Sequence, residues 1–202
     1  MTVVGDGTRP RLGRKPKIGG DVDPEVFCSD EQVEVVVDLA RWQLLAEQVL
    51  HAEGIRGGTE LSLIFVSAND IAELNESFLA KTGPTDVLSF PIDAADLDLS
   101  PSVSGATRGP DRAPFDPADL PLLLGDVVIC PSVAVAQAPS HAGTVEDEFA
   151  LLVVHGILHV LGHDHAEPDE TAKMRSRELQ LLESLHWHGP APTAFRQDQP
   201  EP

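Results

Sequence analysis

The chain is organised around residues 152–165, which have the sequence LVVHGILHVLGHDH. Apart from its histidines, this segment is apolar nearly all round as far as Leu161, which predicts a helix buried in a core. Gly162 then predicts the end of that helix. His155 and His159 are four residues apart, which places their side chains about 40° apart on one helical face.

A chain that turns after Gly162 can bring back a third imidazole from His165, in the spacing His-x3-His-x5-His. A single histidine on a helix is usually an ordinary core or surface residue. Burying two unpaired imidazoles in an apolar helix is unfavourable, however, so three at this spacing predict a metal site with His155, His159 and His165 as ligands. Neutral nitrogen ligands suit zinc, and three protein ligands leave one position for water, as in catalytic zinc sites.

The composition limits the classes of partner. The chain has 202 residues, and its 33 acidic and 14 basic residues give a net charge of −19, which opposes general attraction to nucleic acid or to anionic membranes. An anionic substrate must therefore be held by local contacts. The apolar content of 42% supports a core, whereas the absence of Tyr and an aromatic content of 4% argue against a surface that binds bases mainly by stacking.

Other sequence features argue against further classes. The sequence has no run of about 18 apolar residues and no signal-peptide core near its start, which predicts a soluble, intracellular protein without a membrane partner. It has no P-loop or GxGxxG motif, so no nucleotide cofactor is expected. Cys28 and Cys130 lie far apart in the chain and are predicted to be reduced thiols rather than a disulfide or a metal pair.

The distribution of residue types predicts one folded region with loose segments. Residues 1–22 are basic and rich in Gly and Pro and are predicted to be a flexible extension; a solvated tail and an arm that touches RNA both remain open. Residues 23–187 are predicted to form a single catalytic metallohydrolase domain. Within it, residues 93–121 are rich in Asp, Pro, Ser and Gly and predict a surface insertion. Residues 188–202 predict a flexible, Pro-rich tail.

Apolar patterning predicts an α+β, or mixed α/β, fold. We expect about four strands packed against about five helices, with the central helix carrying the metal histidines. Residues 33–37 fit either an extension of the first strand or a loop, and His141 is expected to be a surface residue. The predicted strands cover residues 25–28, 59–66, 85–91 and 122–130, and the predicted helices begin at Asp38, Ser67, Pro131, Thr144 or Glu146, and Pro168.

The predicted site favours hydrolysis. A zinc ion held by neutral imidazoles lowers the pKa of a bound water towards about 7 and stabilises negative charge on a scissile carbonyl or phosphoryl group. The spacing also matches the HExxHxxGxxH pattern of metzincin peptidases. Those enzymes need Glu directly after the first histidine as general base, and this chain has Gly156 there. A peptidase is therefore only an alternative.

Three blocks of sequence resemble the YbeY family of endoribonucleases and rRNA maturation factors. Residues 155–165, HGILHVLGHDH, are similar to its HGxLHLxGxDH signature. Residues 83–91, GPTDVLSFP, resemble its PTxVLSFP segment, and residues 124–130, LGDVVIC, resemble its LGDxxI segment. The resemblance covers about residues 24–187.

This resemblance implies a cytoplasmic, zinc-dependent endoribonuclease that cuts single-stranded RNA, matures the 3′ end of 16S rRNA and takes part in ribosome quality control. The expected partners are rRNA precursors, the small ribosomal subunit and its assembly factors. Matching the signature residue by residue also implies His155, His159 and His165 as ligands of one Zn²⁺ per chain. A ribosome-assembly binding factor with a structural zinc is the alternative within the same setting.

Four further positions bear on the site. Asp164 matches the signature and suits a carboxylate that orients an imidazole, although a simple turn residue is an equal interpretation. His163 stands where the family often has Tyr and is not predicted to be a ligand. Leu79 stands where many members have an Arg linked to RNA handling; the neighbouring Lys81 could supply a substitute charge or could serve solubility alone. With Gly156 after the first histidine, either metal-activated water or the 2′-OH of the substrate could be the nucleophile.

Overall fold

The structure is a computed structural model that describes residues 23–92, 121–163 and 167–197. The predicted basic extension, and all of the predicted insertion except its last residue, lie outside these ranges. The strands are β1 (Glu25–Asp30), β2 (Thr59–Phe65), β3 (Val87–Pro91) and β4 (Leu122–Ile129), and the α-helices are α1 (Leu39–Ala52), α2 (Ala68–Leu79), α3 (Pro131–Gln137), α4 (Val145–Val160) and α5 (Pro168–Leu185). A short 3₁₀ turn (Ala138–Ser140) follows α3.

The four strands form one mixed sheet in the order β1-β2-β4-β3. β1 pairs with β2, and β2 with β4, in parallel, whereas β3 pairs with β4 in antiparallel. The α+β prediction of about four strands and five helices is therefore confirmed for the described part of the chain. Residues 33–37, which the sequence left open, form a loop.

Helix α4 is the centre of the larger core. It contacts α1, α3 and α5 as well as strands β3 and β4, and every residue from Leu151 to Val160 is buried except His155 and His159. A second, smaller core lies around Ile71 of α2 and Leu88 of β3. The main core includes Trp42, Leu45, Val49, Leu50, Leu61, Leu63, Phe65, Val127, Ile129, Phe149, Leu152, Val153, Ile157, Leu158, Met174, Leu181 and Leu182.

Local hydrogen bonds explain where the helices begin and end. The side chain of Asp38 accepts from Arg41 N at 3.2 Å, and that of Thr144 accepts from Asp147 N at 3.1 Å, so both residues act as N-caps. Of the two predicted starts for α4, Thr144 is the one observed. No helix within the described ranges is both long and apolar enough to cross a membrane.

A close approach of α4 to the sheet explains the glycine within the histidine segment. A Cβ placed on Gly156 would lie 2.5 Å from Val127 Cγ1 and 3.3 Å from Ser89 Oγ. The Ser89 hydroxyl also donates to the Gly156 carbonyl at 3.2 Å. Because Ser89 belongs to β3 and Val127 to β4, the three sequence blocks noted above meet at this point.

His141 corrects one prediction. The sequence suggests a surface residue, but the side chain is 3% exposed and pairs with Glu148, which is fully buried. The His141 Nδ1–H lies 2.9 Å and 3.0 Å from the two Glu148 oxygens, and Ala142 N donates to Glu148 Oε2 at 3.1 Å. The hydrogen bond to Glu148 raises the pKa of His141 above its ordinary value of 6.5; burial opposes this shift, and the charge of Asp86 adds to it.

The beginning of the predicted flexible tail is packed in this structure. Trp187 Nε1 and His186 Nε2 lie 2.6 Å and 2.9 Å from Asp147 Oδ1 at the start of α4. The ring of Phe195 then stands edge-on to Trp187, with 4.8 Å between the ring centroids. Part of residues 188–197 therefore contacts the folded region, where Phe195 and Trp187 bury apolar surface against each other. The flexibility of the tail stays a prediction.

Replacing Gly156 by Ala should destabilise the fold. In an open helix interior this change would stabilise by about 1 kcal/mol, but here the new methyl group would overlap Val127. We expect a net loss of about 1 kcal/mol or more in the free energy of unfolding, measured by urea denaturation. Gly58→Ala is the control, since its nearest contact would be 3.8 Å away. A stabilising Gly156→Ala would contradict the close approach.

The His141–Glu148 pair should make stability depend on pH. Since the pKa of His141 is raised in the folded state, its contribution is complete below about pH 6.5 and is lost as the pH rises through the raised pKa. The gap in unfolding free energy between wild type and His141→Gln should therefore narrow as the pH rises above about 6.5. His188→Gln, at an exposed position, is the control. A gap that stays constant across this range would refute the assignment.

Candidate metal centre

The two histidines of α4 lie side by side at its accessible face. Their ring centroids are 4.6 Å apart and the ring planes are inclined by 77°. They are the only residues between Leu151 and Val160 that are not buried. The helix therefore presents two imidazoles at an opening in an otherwise apolar surface, which is the placement that the four-residue spacing predicts.

A buried carboxylate orients the first of these histidines. His155 Nδ1 lies 2.7 Å from Glu178 Oε1 of α5, and the Glu178 side chain is 5% exposed. Because a carboxylate only accepts, Nδ1 carries the hydrogen, and Nε2 is the nitrogen that would bind a metal. Metal-binding histidines commonly use their second nitrogen in this way.

Sequence reasoning did not find Glu178. It is 23 residues from His155 and lies on a helix that the sequence identified by its first turn and its apolar residues. A signal was nevertheless present: Glu178 is four residues from both Met174 and Leu182, which are buried, so it lies on the packing stripe of α5. An acidic residue on such a stripe needs a polar partner.

The end of α4 turns the chain back towards α5. Gly162 has a φ of +85°, His163 N donates to Leu158 O at 2.9 Å, and Gly162 N donates to His159 O at 2.9 Å. This is a Schellman ending, which requires a left-handed residue where Gly162 stands. Asp164 and His165 follow directly, but both lie outside the described residues, so their predicted roles stay predictions.

His163 is paired with a different element. Its Nε2 lies 3.7 Å from Glu53 Oε2 at the end of α1, and Glu53 Oε1 accepts from Arg177 Nε at 2.6 Å. The Arg177 guanidinium also donates to Ala52 O at 3.2 Å. This network ties the ends of α1 and α4 to α5, and it gives His163 a structural contact consistent with its exclusion from the predicted ligand set.

Leu79, at the position where many family members have Arg, and Lys81, the predicted substrate contact, lie at and just after the end of α2. Leu79 ends α2 and is 54% exposed. Lys81 is exposed in the connection between α2 and β3, where its backbone N–H reaches Asn75 O at 3.4 Å. Lys81 stays a predicted substrate contact.

The described residues include two of the three predicted metal ligands. Within residues 23–92, 121–163 and 167–197, no group of three or more His, Cys, Asp or Glu side chains is placed to hold a metal ion; the predicted third ligand is not among these residues. Cys28 and Cys130 are both free thiols, and burial raises the pKa of Cys28 to about 11. The two histidines are thus the candidate ligands that the structure brings together.

Comparisons with known proteins identify the fold from a solved structure and the family from relatives in sequence. The fold matches the solution structure of TM1509 from Thermotoga maritima with a TM-score of 0.51 and 23% identity, covering 88% of this chain and 99% of that one. A protein named endoribonuclease YbeY from Beutenbergia cavernae is 43% identical over 148 residues, which are 73% of this chain and 89% of the relative. One of the same name from Thermobifida fusca is 42% identical over 148 residues, or 73% and 86% of the two chains.

The family model described as endoribonuclease YbeY matches residues 27–186. This range contains the histidine pair, Glu178 and all three sequence blocks that meet at Gly156. The chain therefore belongs to the endoribonuclease YbeY family.

Proposed function

We propose that this chain is an endoribonuclease that hydrolyses phosphodiester bonds of single-stranded RNA with one zinc ion held by His155, His159 and His165. The observation that carries the proposal is the adjacent pair of imidazoles on α4, one of them fixed by a buried carboxylate at 2.7 Å. Support for RNA as the substrate comes from family membership and from the name of the relatives, endoribonuclease YbeY.

The residues present fit a zinc ion. Imidazole nitrogen is a common zinc ligand. When the other ring nitrogen donates a hydrogen bond to a carboxylate, the imidazole becomes a more basic ligand for the metal. The third ligand rests on spacing and on the match to the family signature. When bound, zinc would supply a Lewis acid that stabilises the charge developing on the phosphoryl group and makes water a stronger nucleophile.

The protein's own contribution is rigid positioning. Because α4 is buried along its length and held at both ends by caps, its two imidazoles are presented in one fixed arrangement. Glu178 sets the orientation of His155, and its burial keeps water from competing for the hydrogen bond. Such fixed placement of ligands around a reacting centre is what lowers the barrier.

The geometry at Gly156 argues against the peptidase alternative. A metzincin needs a Glu side chain directly after the first histidine. In this chain Val127 and Ser89 occupy the space that such a side chain would enter. The helix is packed for glycine there, so a side chain at this position would require Val127 to shift.

We further propose that the substrate is an rRNA precursor, that the protein matures the 3′ end of 16S rRNA in the cytoplasm, and that it acts in ribosome quality control with the small subunit and its assembly factors. The similarity to the family signature supports this proposal. With a net charge of −19, binding of RNA must rely on local contacts. Lys81 is the contact that we propose, and Asp164 is proposed to orient an imidazole.

Removing one predicted ligand should remove metal and activity together. Purified protein should contain about one zinc per chain, and His159→Ala should lose zinc and the cleavage of single-stranded RNA, because two ligands hold zinc much more weakly than three. Metal analysis and an rRNA-precursor cleavage assay should be run in parallel on both proteins. His188→Ala, an exposed histidine, is the matched control.

Three outcomes separate the alternatives. RNA cleavage by a metal-free His159→Ala protein would rule out the proposed mechanism. A ribosome-assembly factor with a structural zinc would bind precursors without cutting them, and removal of its zinc with a chelator would unfold it. Turnover of peptides without turnover of RNA would favour a peptidase.

Glu178→Gln should weaken zinc binding while the fold persists. The amide keeps the size of the carboxylate but loses the charge that orients and polarises His155, so we expect a loss of about 10- to 100-fold in zinc affinity. Competition with a chromophoric chelator measures it. Glu170→Gln makes the same change at an exposed position of α5 and should leave the affinity unchanged. Equal affinities for all three proteins would show that Glu178 has no role in metal binding.

A further inference from the structure

The C-terminal segment, residues 193–197, contacts the turn before α4 and helix α5. These are the helices that carry His155 and Glu178. Ala194 of the segment packs on Gly143, where an added Cβ would lie 2.9 Å from Ala194 Cβ. The backbone N–H of Arg196 donates to His141 O at 3.0 Å. Together with the Phe195–Trp187 contact described above, these interactions bring the segment to the turn before α4 and onto α5.

The last described residue of this segment reaches the carboxylate that orients His155. Gln197 Nε2 donates to Glu178 Oε2 at 3.1 Å and to Arg175 O at 2.8 Å. Since Glu178 Oε1 accepts from His155 at 2.7 Å, the two oxygens of the carboxylate have different partners. A continuous chain of hydrogen bonds therefore runs from Gln197 through Glu178 to His155.

The amide of Gln197 has only one workable orientation. Its NH₂ group has two hydrogens, and both have acceptors, one from a carboxylate and one from a backbone carbonyl. If the amide were flipped, its oxygen would face two other acceptors, which is repulsive. The network thus fixes the amide, and the fixed amide restrains the buried carboxylate.

We propose that Gln197 is a positioning residue of the metal centre, which holds Glu178 in the orientation that accepts from His155 Nδ1. This inference rests on the proposed function, because it assumes that His155 binds a metal through Nε2. The family model matches residues 27–186, so Gln197 lies beyond the matched region. The role belongs to the C-terminal extension of this chain.

Phe195 of the segment packs on Trp187, which is held by contacts independent of the metal centre. Trp187 Nε1 donates to Asp147 Oδ1 at 2.6 Å, and the side chain of Thr144 reaches the other Asp147 oxygen at 2.7 Å. Burial alone would raise the pKa of Asp147, but hydrogen bonds from Trp187, Thr144 and His186 outweigh it and lower that pKa. Asp147 therefore stays ionised as an acceptor at neutral pH, and loss of the Gln197 amide should leave this anchor intact.

The test is Gln197→Met, which keeps the length of the side chain and removes its donors. Zinc affinity, measured by chelator competition, should fall by up to about 10-fold, the low end of the losses expected for groups that orient metal ligands. In the metal-free protein, ¹⁵N NMR of the His155 ring should show a smaller population of the Nδ1–H tautomer than in wild type. The second readout needs neither metal nor activity.

Arg196→Met is the matched control. The Arg196 side chain is exposed and donates to Thr193 O at 2.7 Å and Phe195 O at 2.8 Å, both within its own segment. It should leave zinc affinity and the His155 tautomer as in wild type. Urea unfolding of both variants should show that each remains folded.

The outcomes separate this inference from the proposed function. If wild type binds zinc and Gln197→Met matches it in affinity and tautomer, the positioning role is wrong and the zinc site stands. Equal losses in the Arg196 and Gln197 variants would assign the effect to packing of the segment and would also overturn the inference. If wild type binds no zinc, the proposed function fails, and an unchanged tautomer in Gln197→Met would then overturn the positioning role as well.

Discussion

A helix buried on almost every side can carry histidines only where each imidazole has a polar partner or an opening to solvent. Helix α4 meets this constraint through the hydrogen bond between His155 and Glu178 and through the partial exposure of both His155 and His159. The surrounding elements hold His155 and Glu178 at hydrogen-bonding distance. The Schellman ending at Gly162 turns the chain back, α5 returns along α4, and its packing stripe brings a carboxylate to the imidazole.

The same helix explains why three distant blocks of sequence belong together. Gly156 lets α4 approach the sheet, Ser89 donates to its carbonyl, and Val127 fills the space beside it. A side chain at residue 156 would require either Val127 or the helix, which carries both histidines, to shift. Packing and chemistry are thus coupled at one residue: the glycine that permits the fold also excludes the carboxylate that a peptidase would need.

The sequence predicted what depends on local pattern. The apolar run and the glycine stop identified α4, apolar runs identified the strands, and Asp38 and Thr144 proved to be caps. It failed where partners are distant in the chain. Glu178 is 23 residues from its histidine, and nothing near His141 in sequence shows that Glu148 would bury it. The prolines of residues 188–197 suggest fraying, and the contact of Phe195 with Trp187 is a tertiary one that the sequence does not reveal.

The central claim is that the His155–His159 pair, with His165, holds zinc. X-ray absorption spectroscopy at the zinc edge of the purified protein tests this claim most directly, because it identifies the ligand atoms. The account predicts imidazole nitrogens from three histidines at about 2.0–2.1 Å, with no sulfur ligand. A sulfur ligand, which would place the metal at Cys28 or Cys130, or the absence of bound zinc would contradict it.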